Sequence, residues 1–396
     1  AHAYLEVRCG DVALKLRQAT RRNVSIANSF LRARGLRGER ETGPRGPPIG
    51  APGWLSPAWR RKMADMAADL FRFARLDEAR DRLLPYLQRT PLLRSAYLSE
   101  RFGTDVWLKC ENRQKTGAFK VRGALNRLRT LTEEAKARGV ATISAGNHAQ
   151  AVAWAATAAG VSSVVVMPEP ASPRKVRRSR EYGAEVILHG DAAQAFARVH
   201  EICEERGLTF LHPFDDEEVV AGHASCGLEI LEELPAAGTI VVPVGGGGLT
   251  SGICAAVAAT GSEAEVWGVE PAGAAAMHES LRRGRAVHLE RVLTVADGLA
   301  APMAGELNHA ILAEVAQGVA VVDDAAIVRA LHDLAETVGE HVEPSAAASL
   351  AGLASGEIPF RADRPVVLVL SGGNATEEEL RGLYARFGEG RAGAGT

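Results

Sequence analysis

Short β-rich runs alternate with helical stretches from Thr104 onward, and this alternation restricts the chain to a fold of the α/β class. The predicted strands cover residues 106–109, 164–167, 185–188, 239–244, 266–269, 319–322 and 366–370. The predicted helices include residues 149–159, 192–206, 249–259, 324–338 and 345–354. Strands that alternate with helices form parallel sheets with both faces covered. We therefore predict parallel-type sheets covered by helices, with ligands bound beyond the carboxyl ends of the strands.

The length and composition of the chain predict a globular protein with more than one core. A chain of 396 residues exceeds what one core usually fills, so we expect two domains, or a large domain with a smaller one. With 46% hydrophobic and 24% charged residues, the composition excludes a disordered or collagen-like protein. No run of about 18 apolar residues occurs, and the five cysteines are scattered without a C-x-x-C pair. We therefore expect a cytoplasmic protein without a membrane partner.

The first 62 residues differ in charge from the rest of the chain. They carry 13 Lys and Arg against four Asp and Glu, so their net charge is +9 and that of the remainder is −11. Residues 39–57 are rich in Gly and Pro without a hydrophobic period, which is typical of a linker or a disordered segment. A targeting segment or a nucleic-acid-binding arm is the alternative, but no aromatic interleaving supports it. Because Met63 opens an amphipathic stretch like a natural start, we favour a basic extension at 1–62, disordered or appended, and no nucleic-acid partner.

Four consecutive glycines stand between a predicted strand and a predicted helix, followed by Leu249. They are Gly245, Gly246, Gly247 and Gly248. Because they lack a Cβ atom, an anion can approach their backbone N–H groups, and the helix dipole adds to the attraction. The spacing does not match the dinucleotide motif G-x-G-x-x-G, and no Lys follows the glycines as in a P-loop. A loop without that lysine or a magnesium-binding partner suits a monophosphate better than a triphosphate, so we predict that it binds a monophosphate. The alternative is a tight turn, but a turn alone would need only one or two glycines.

A second strand-to-helix loop combines small residues with hydrogen-bond donors. Its members are Ser144, Ala145, Gly146, Asn147 and His148. Backbone N–H groups in this loop could hold a carboxylate, and the Asn147 amide could donate to a ring hydroxyl. The alternative is structural, because Ser144 or Asn147 can equally cap a helix.

A third loop follows the last predicted strand in the sequence LSGGN. The hydroxyl of Ser371 could hydrogen-bond a ligand nitrogen. It could equally cap the Glu-rich helix that follows.

Lysine is scarce in this chain, because only seven of the 46 basic residues are Lys. One of them, Lys120, lies in the apolar-flanked segment 116–124. A partly buried Lys has a lowered pKa and can attack an aldehyde as the free amine, forming a Schiff base. Taken alone, Lys120 can equally be a surface charge. Together with the phosphate loop, it indicates pyridoxal 5'-phosphate (PLP) as the cofactor.

Six segments of the chain together resemble one enzyme family. They are QKTGAFKVRGALN, SAGNHAQAV, VPVGGGGLTSG, GVEP, VEPS and LSGGN, in this order and spacing. The set resembles the serine/threonine dehydratase and serine racemase family, PLP enzymes of fold type II with a tryptophan synthase β-like fold, over residues 76–387. The resemblance implies a large domain of residues 63–140 and 220–387, a small mobile domain of residues 141–219, a flexible tail at 388–396, and a homodimer.

The same resemblance implies roles for single residues. Lys120 would hold PLP as a Schiff base and, once freed by the substrate, act as the catalytic base. Phe119 would lie against the cofactor ring, Asn147 would contact the ring hydroxyl and Ser371 would meet the ring nitrogen. The implied cofactor-binding set is Phe119, Lys120, Asn147, Gly245, Gly246, Gly247, Gly248, Leu249 and Ser371. The implied substrate-binding set is Ser144, Ala145, Gly146, Asn147 and His148. Glu343 would lie near the cofactor, although by sequence alone it is an ordinary acid at a helix start.

The implied activity is a carbon–oxygen lyase reaction that converts L-threonine and/or L-serine to a 2-oxo acid and ammonia. Serine racemases of the family have a second Ser after the first in the S-S-G-N-H loop. This chain has Ala145, whose methyl group cannot move a proton, so racemisation is disfavoured. Related β-replacement enzymes have Asp directly after the lysine, whereas Val121 follows Lys120 here. Elimination is therefore favoured over replacement.

The resemblance also bears on metal binding. The family's divalent-cation site combines a Glu in the GVEP segment with an Asp six residues later. Glu270 is present here but position 276 is Ala, and one carboxylate is a weak site for a hard cation, so we predict no metal. The alternative activities are a dehydratase of 3-hydroxyaspartate or a phenylserine, and a serine racemase. The non-enzyme alternative is a silent PLP-binding regulatory protein.

Overall fold

The computed structural model describes residues 4–9, 12–17 and 57–388. Strands β1 (Tyr4–Cys9) and β2 (Val12–Arg17) form an antiparallel pair in which Tyr4 lies opposite Arg17. Residues 1–62 and 63–396 form two separate units. The predicted Gly- and Pro-rich segment lies outside the described residues except for its last residue, as does nearly all of the predicted tail. The interpretation of residues 1–62 as an extension stays a prediction.

The larger sheet has six strands in the order β11-β10-β9-β12-β4-β3. These strands are β3 (Leu92–Arg94), β4 (Val106–Cys110), β9 (Thr239–Pro243), β10 (Glu265–Pro271), β11 (Gly318–Val322) and β12 (Val366–Leu370). Five of them are parallel, and β3 pairs antiparallel to β4 at the edge. The predicted parallel-type sheet thus carries one antiparallel strand at its edge. Three residues are too few to give a periodic pattern, so the sequence did not predict β3.

The smaller sheet has four parallel strands in the order β7-β6-β5-β8. They are β5 (Val140–Ile143), β6 (Ser163–Met167), β7 (Glu185–Leu188) and β8 (Thr209–Phe210). Each of the seven predicted strands coincides with an observed strand to within two residues at either end. Hence the α/β class and its two sheets are confirmed. The mobility of the domain around the smaller sheet stays a prediction.

Helices cover both sheets. They are α1 (Pro57–Leu70), α2 (Phe73–Leu83), α3 (Ala96–Phe102), α4 (Lys120–Arg129), α5 (Glu133–Arg138), α6 (Asn147–Ala159), α7 (Pro173–Glu181), α8 (Ala192–Arg206), α9 (Glu217–Glu233), α10 (Gly248–Thr260), α11 (Ala276–Arg283), α12 (Glu306–Val315), α13 (Asp324–Asp333), α14 (Pro344–Ala354) and α15 (Glu377–Gly388). A π-helical turn, Leu334–Val338, follows α13. Among the described residues, none of these helices combines the length and apolarity that a membrane span requires.

The strands that precede the three predicted loops are largely buried. Strand β12 is buried along its whole length and packs in a cluster with residues of α14 and β4. Parallel strands β5, β9 and β12 end at Ile143, Pro243 and Leu370. The three loops that the sequence singled out therefore all begin at carboxyl ends of strands, where open α/β sheets bind ligands.

Candidate active site

One cavity of about 480 Å³ gathers the residues that the sequence predicted for the site. Its lining includes Phe119, Lys120, Ser144, Ala145, Gly146, Asn147, His148, Gly245, Gly246, Gly247, Gly248, Leu249 and Ser371. The structure thus brings together every predicted cofactor-binding and substrate-binding residue. Their individual roles stay predictions.

The glycine loop presents the N-terminus of α10 to this cavity. Gly247 is the N-cap residue, with φ of 98°, and within the described chain no side chain caps the helix. The first N–H groups of a helix have no partner inside the helix, so those of α10 are available to an anion. The positive φ favours Gly at this position. The loop therefore fits a phosphate group.

The glycines at 246 and 248 pack closely against a neighbour that the sequence analysis missed, Phe214. A Cβ atom on Gly246 would lie 2.4 Å from the ring of Phe214, and one on Gly248 would lie 3.1 Å from the Phe214 Cβ. Phe214 also lines the cavity. Part of the run of glycines therefore serves close packing against Phe214 as well as anion access.

Lys120 lies at the start of α4 and projects into the cavity. Its Nζ donates to the backbone carbonyl of Pro213 at 2.9 Å and lies 5.0 Å from the centre of the Phe119 ring. Removal from water lowers the pKa of Lys120 to about 8, although the negative charge of Glu343 acts in the opposite direction. An amine with this pKa is partly neutral near pH 7 and can act as a nucleophile or a base.

The second loop leaves its backbone donors open to the cavity. Ser144 does not cap α6, because its Oγ accepts from the N–H of Gly146 at 3.0 Å in a local turn. Gly146 is the N-cap of α6, and in the described residues no side chain caps that end. The N–H groups that begin α6 can therefore hold a carboxylate.

Asn147 joins this loop to two residues from other loops. Its Nδ2 donates to Oε1 of Glu343 at 2.7 Å, and its Oδ1 accepts from Nδ2 of Asn374 at 2.9 Å. An amide nitrogen carries two hydrogens, so one remains for a ligand.

Glu343 is the site residue that sequence reasoning most undervalued. It is only 6% exposed and lines the cavity. Burial raises the pKa of Glu343 to about 7, and the negative charge of Asp297 raises it further. The VEPS segment was the available signal, but no local pattern could show that this carboxyl is buried.

Ser371 lies directly after β12 and is buried at the cavity wall. Its backbone carbonyl accepts from the N–H of Phe119 at 3.1 Å, which joins the backbone at Ser371 to the lysine segment. The alternative role as a helix cap is excluded for Ser371. Thr376 and Glu379 cap α15 instead, through reciprocal bonds between side chains and backbone N–H groups.

Three histidines near the lysine are kept neutral. Burial lowers the pKa of His148 to about 3 and that of His212 to about 4, and the positive charge of Lys120 contributes to both shifts. Burial also holds the pKa of His223 well below its ordinary value. Neutral imidazoles surround the amine without adding positive charge, so these histidines supply no charge to an anionic ligand.

The carboxyl of Glu270 has its acceptor atoms occupied by the protein. Oε1 accepts from the N–H of Met277 and Oε2 from that of His278, both at 2.8 Å. Over residues 4–9, 12–17 and 57–388, no cluster of three His, Cys, Asp or Glu side chains suitable for a metal ion is found. Glu270 is thus an acceptor for the first turn of α11 in this structure.

Comparisons with known proteins agree with this geometry. The family model described as "Pyridoxal-phosphate dependent enzyme" matches residues 83–372. L-threonine ammonia-lyase of Geobacter sulfurreducens is 43% identical over 316 residues, covering 78% of each protein. The enzyme of the same name from Thermotoga maritima is 40% identical over 300 residues, covering 76% of this chain and 74% of the relative.

Two solved structures superimpose on most of this chain. Maize serine racemase superimposes with a TM-score of 0.73 at 34% identity, covering 80% of this chain and 98% of that one. The processed form of threonine deaminase isoform 2 from Solanum lycopersicum superimposes with a TM-score of 0.73 at 32% identity, covering 79% and 93%.

Proposed function

The chain belongs to the family of pyridoxal-phosphate-dependent enzymes, and on that premise we propose that it is an ammonia-lyase acting on L-threonine and/or L-serine. The reaction first removes the β-hydroxyl as water to give an enamine. Hydrolysis of the enamine then takes up one water and leaves a 2-oxo acid and ammonia. The observation that carries the proposal is the position of Lys120 in one cavity with the glycine loop. The identity of 40–43% to two L-threonine ammonia-lyases supports threonine as a substrate.

The residues of the cavity fit the cofactor. The N–H groups of Gly245 to Gly248 would hold the phosphate, and the Lys120 amine would bind the aldehyde carbon. Ser371 would meet the ring nitrogen and Phe119 would cover one face of the ring. When bound, PLP withdraws electrons from the α-carbon of an amino acid.

Each residue then has a defined task toward the substrate. The N–H groups of residues 144–148 hold the substrate carboxylate at the start of α6. Lys120, with a pKa lowered to about 8 by burial, removes the α-proton as a neutral amine. The carbonyl of Pro213, 2.9 Å from Nζ, keeps the amine inside the cavity. Because Ser371 is uncharged, it does not force a proton onto the ring nitrogen, which favours loss of the β-hydroxyl over transamination.

The alternatives are less well supported. Ala145 lines the cavity where a racemase of this family has its second serine, so a proton donor for the opposite face of the substrate is lacking at this position. A dehydratase of 3-hydroxyaspartate or a phenylserine would use the same residues and differs only in the substrate side chain. A silent PLP-binding protein would need no site for a substrate carboxylate, whereas the loop of residues 144–148 lines the same cavity as Lys120.

We also propose that the small domain, residues 141–219, closes the cavity when substrate binds. Lys175 of α7 forms an ion pair with Asp297, and both residues line the cavity. Next to it, Arg174 donates to the backbone carbonyl of Asn374 at 2.8 Å. Partly exposed ion pairs are weak enough to break and re-form. These contacts are thus suited to a movable rim.

We also propose that the protein is cytoplasmic and forms a homodimer. Cys110, Cys203 and Cys226 are free thiols, and free thiols are typical of a reducing cytoplasm. A homodimer is proposed from the family resemblance, since most soluble oligomers are symmetric homo-oligomers. Gel filtration with light scattering would test the dimer.

The main experiment compares the wild-type protein with Lys120→Ala and with the matched control Lys115→Ala, which replaces an exposed lysine in the same segment. Each would be reconstituted with PLP, its visible absorption recorded, and 2-oxo acid release assayed with L-threonine, L-serine and 3-hydroxyaspartate. We expect a Lys120-dependent visible band and oxo acid from L-threonine. A Lys120-dependent band with oxo acid from another substrate would reassign the substrate. Absence of a band in reconstituted wild-type protein would refute the proposed function.

A further inference from the structure

Asn308 is a fully buried amide in the first turn of α12, next to the glycine loop. Its Nδ2 donates to two backbone carbonyls, that of Gly246 at 2.9 Å and that of Phe214 at 3.0 Å. The carbonyl of Gly246 also accepts from the N–H of Gly305 at 3.1 Å. A buried polar side chain is retained when it satisfies other buried polar groups. Here the groups that it satisfies belong to the loop of the proposed phosphate site.

These bonds determine which way one N–H group of the loop points. In a trans peptide, the carbonyl of Gly246 and the N–H of Gly247 are antiparallel. Asn308 and Gly305, neither of which lines the cavity, hold that carbonyl. The N–H of Gly247 is therefore directed to the opposite side, the side of the cavity. A Cβ on Gly247 would lie only 2.9 Å from the Cβ of Asn308, which shows how closely the helix supports the loop.

Asp215 holds α12 in place from the other side. Its carboxylate accepts from the N–H of Glu306 at 3.0 Å and from that of Leu307 at 3.1 Å, at the start of the helix. The same short segment carries Pro213, which binds Lys120, and Phe214, which packs on the loop. One segment therefore connects the lysine, the glycine loop and α12.

We infer that Asn308 is a positioning residue for the phosphate group of PLP, with Asp215 supporting it through α12. The inference rests on the proposed function, in which Gly245 to Gly248 bind that phosphate. It assigns Asn308 no contact with the cofactor. Its loss would leave the carbonyl of Gly246 held by the N–H of Gly305 alone, so the Gly246–Gly247 peptide would be held less firmly. Binding of phosphorylated ligands would then weaken selectively.

The test is the ratio of affinities of the apoprotein for PLP and for pyridoxal, which has the aldehyde but no phosphate. Asn308→Leu keeps a similar side-chain size and removes both donors. We expect its affinity for PLP to fall about tenfold or more, because the hydrogen bond from the N–H of Gly247 to the charged phosphate is weakened or lost. Its affinity for pyridoxal should stay the same. Calorimetric titration with inorganic phosphate should show the same loss.

The matched control is Asn126→Leu, which removes another fully buried helical Asn whose Nδ2 donates to the carbonyl of Glu218 at 2.7 Å. It should lower thermal stability without changing the affinity ratio. If Asn308→Leu does not fold, Asp215→Asn provides the test, with a smaller shift of the ratio in the same direction. An unchanged ratio in the folded variant overturns the role of Asn308. Equal affinity of the wild-type protein for PLP and pyridoxal would instead refute the phosphate assignment itself.

Discussion

Asn147 donates from Nδ2 to Oε1 of Glu343 over 2.7 Å, and this bond joins the start of α6 to the start of α14. The two residues are 196 positions apart in the chain. The bond places a buried carboxyl in the same cavity as the Lys120 amine. Because the pKa of Glu343 is raised to about 7 by burial and that of Lys120 is lowered to about 8, both groups change charge near neutral pH.

The first prediction concerns the pH dependence of cofactor capture by the apoprotein. Only the neutral amine of Lys120 attacks the PLP aldehyde, and burial lowers the pKa of Lys120 from 10.5 to about 8. The rate of capture should therefore rise with pH and level off above about pH 8. Stopped-flow absorbance over a pH series would measure it. A rate that keeps rising toward pH 10.5 would show that the lysine is solvated like a free one.

The second prediction concerns Glu343→Gln. The negative charge of Glu343 raises the pKa of Lys120, so removing that charge should lower the lysine pKa further. The levelling point of the same rate profile should move to lower pH. Glu340→Gln is the control, because Glu340 is also buried but pairs with Arg113 and does not line the cavity. A profile that is unchanged in Glu343→Gln, or shifted to higher pH, would contradict the assigned interaction.

The third prediction compares the glycines that flank α10. Gly247 has a left-handed backbone conformation, and the Cβ atom added by Gly247→Ala would lie 2.7 Å from Cε of Met277. Gly261→Ala at the other end has the same kind of strain, with φ of 66°, but its Cβ would have nothing within 4 Å. Both should be destabilised by about 1–2 kcal/mol of backbone strain, whereas only Gly247→Ala should bind PLP at least about tenfold more weakly. Equal PLP affinity for the two variants would count against the glycine loop as the phosphate site.

The fourth prediction concerns the buried ion network around Arg122. Its Nε bonds Oε2 of Glu111 at 2.8 Å and its Nη1 bonds Oε1 of Glu229 at 2.7 Å, with all three side chains nearly inaccessible. Arg122→Met leaves the two carboxylates without this partner, so the free energy of unfolding in urea should fall by about 3–5 kcal/mol. Arg361→Met, which breaks an exposed pair with Asp363, should leave the unfolding midpoint unchanged. A similar small effect in both variants would refute a structural role for the network.

The fifth prediction concerns the pH dependence of stability at Glu270. Burial raises the pKa of Glu270 from 4.5 to about 8, so the folded state binds a proton that the unfolded state releases between these values. Its contribution to stability is present below pH 4.5 and is lost as the pH rises toward 8. Glu270→Gln lacks this titration, so it should gain stability relative to wild type over that range, by roughly 1.4 kcal/mol per pH unit. Parallel curves of unfolding free energy against pH for the wild type and Glu270→Gln would contradict the raised pKa of Glu270.

The sequence alone was sufficient to predict the features that depend only on residues close together in the chain. The alternation of strands and helices is a local periodicity, and it predicted the α/β class and seven strands. The glycine loop is also local, because the absence of Cβ atoms and the start of a helix both lie within Gly245 to Leu249. Lys120 was found because it is a rare residue in an apolar segment, and because the six segments around it resemble one family.

Other features depended on contacts between distant parts of the chain. The edge strand β3 is too short for a pattern, and its antiparallel direction follows from how it meets β4. Phe214 and Asn308 have no local signal, since what matters is that they pack on the loop around Gly246.

The charges of the site also depended on the tertiary structure. A glutamate at a helix start is ordinarily ionised and exposed, and only folding places Glu343 beside Asn147 and away from water. The pKa of Lys120 is lowered for the same reason. The sequence determined which chemical groups the site contains. The tertiary structure decided their protonation and orientation, because desolvation and hydrogen bonding depend on groups that come together only when the chain is folded.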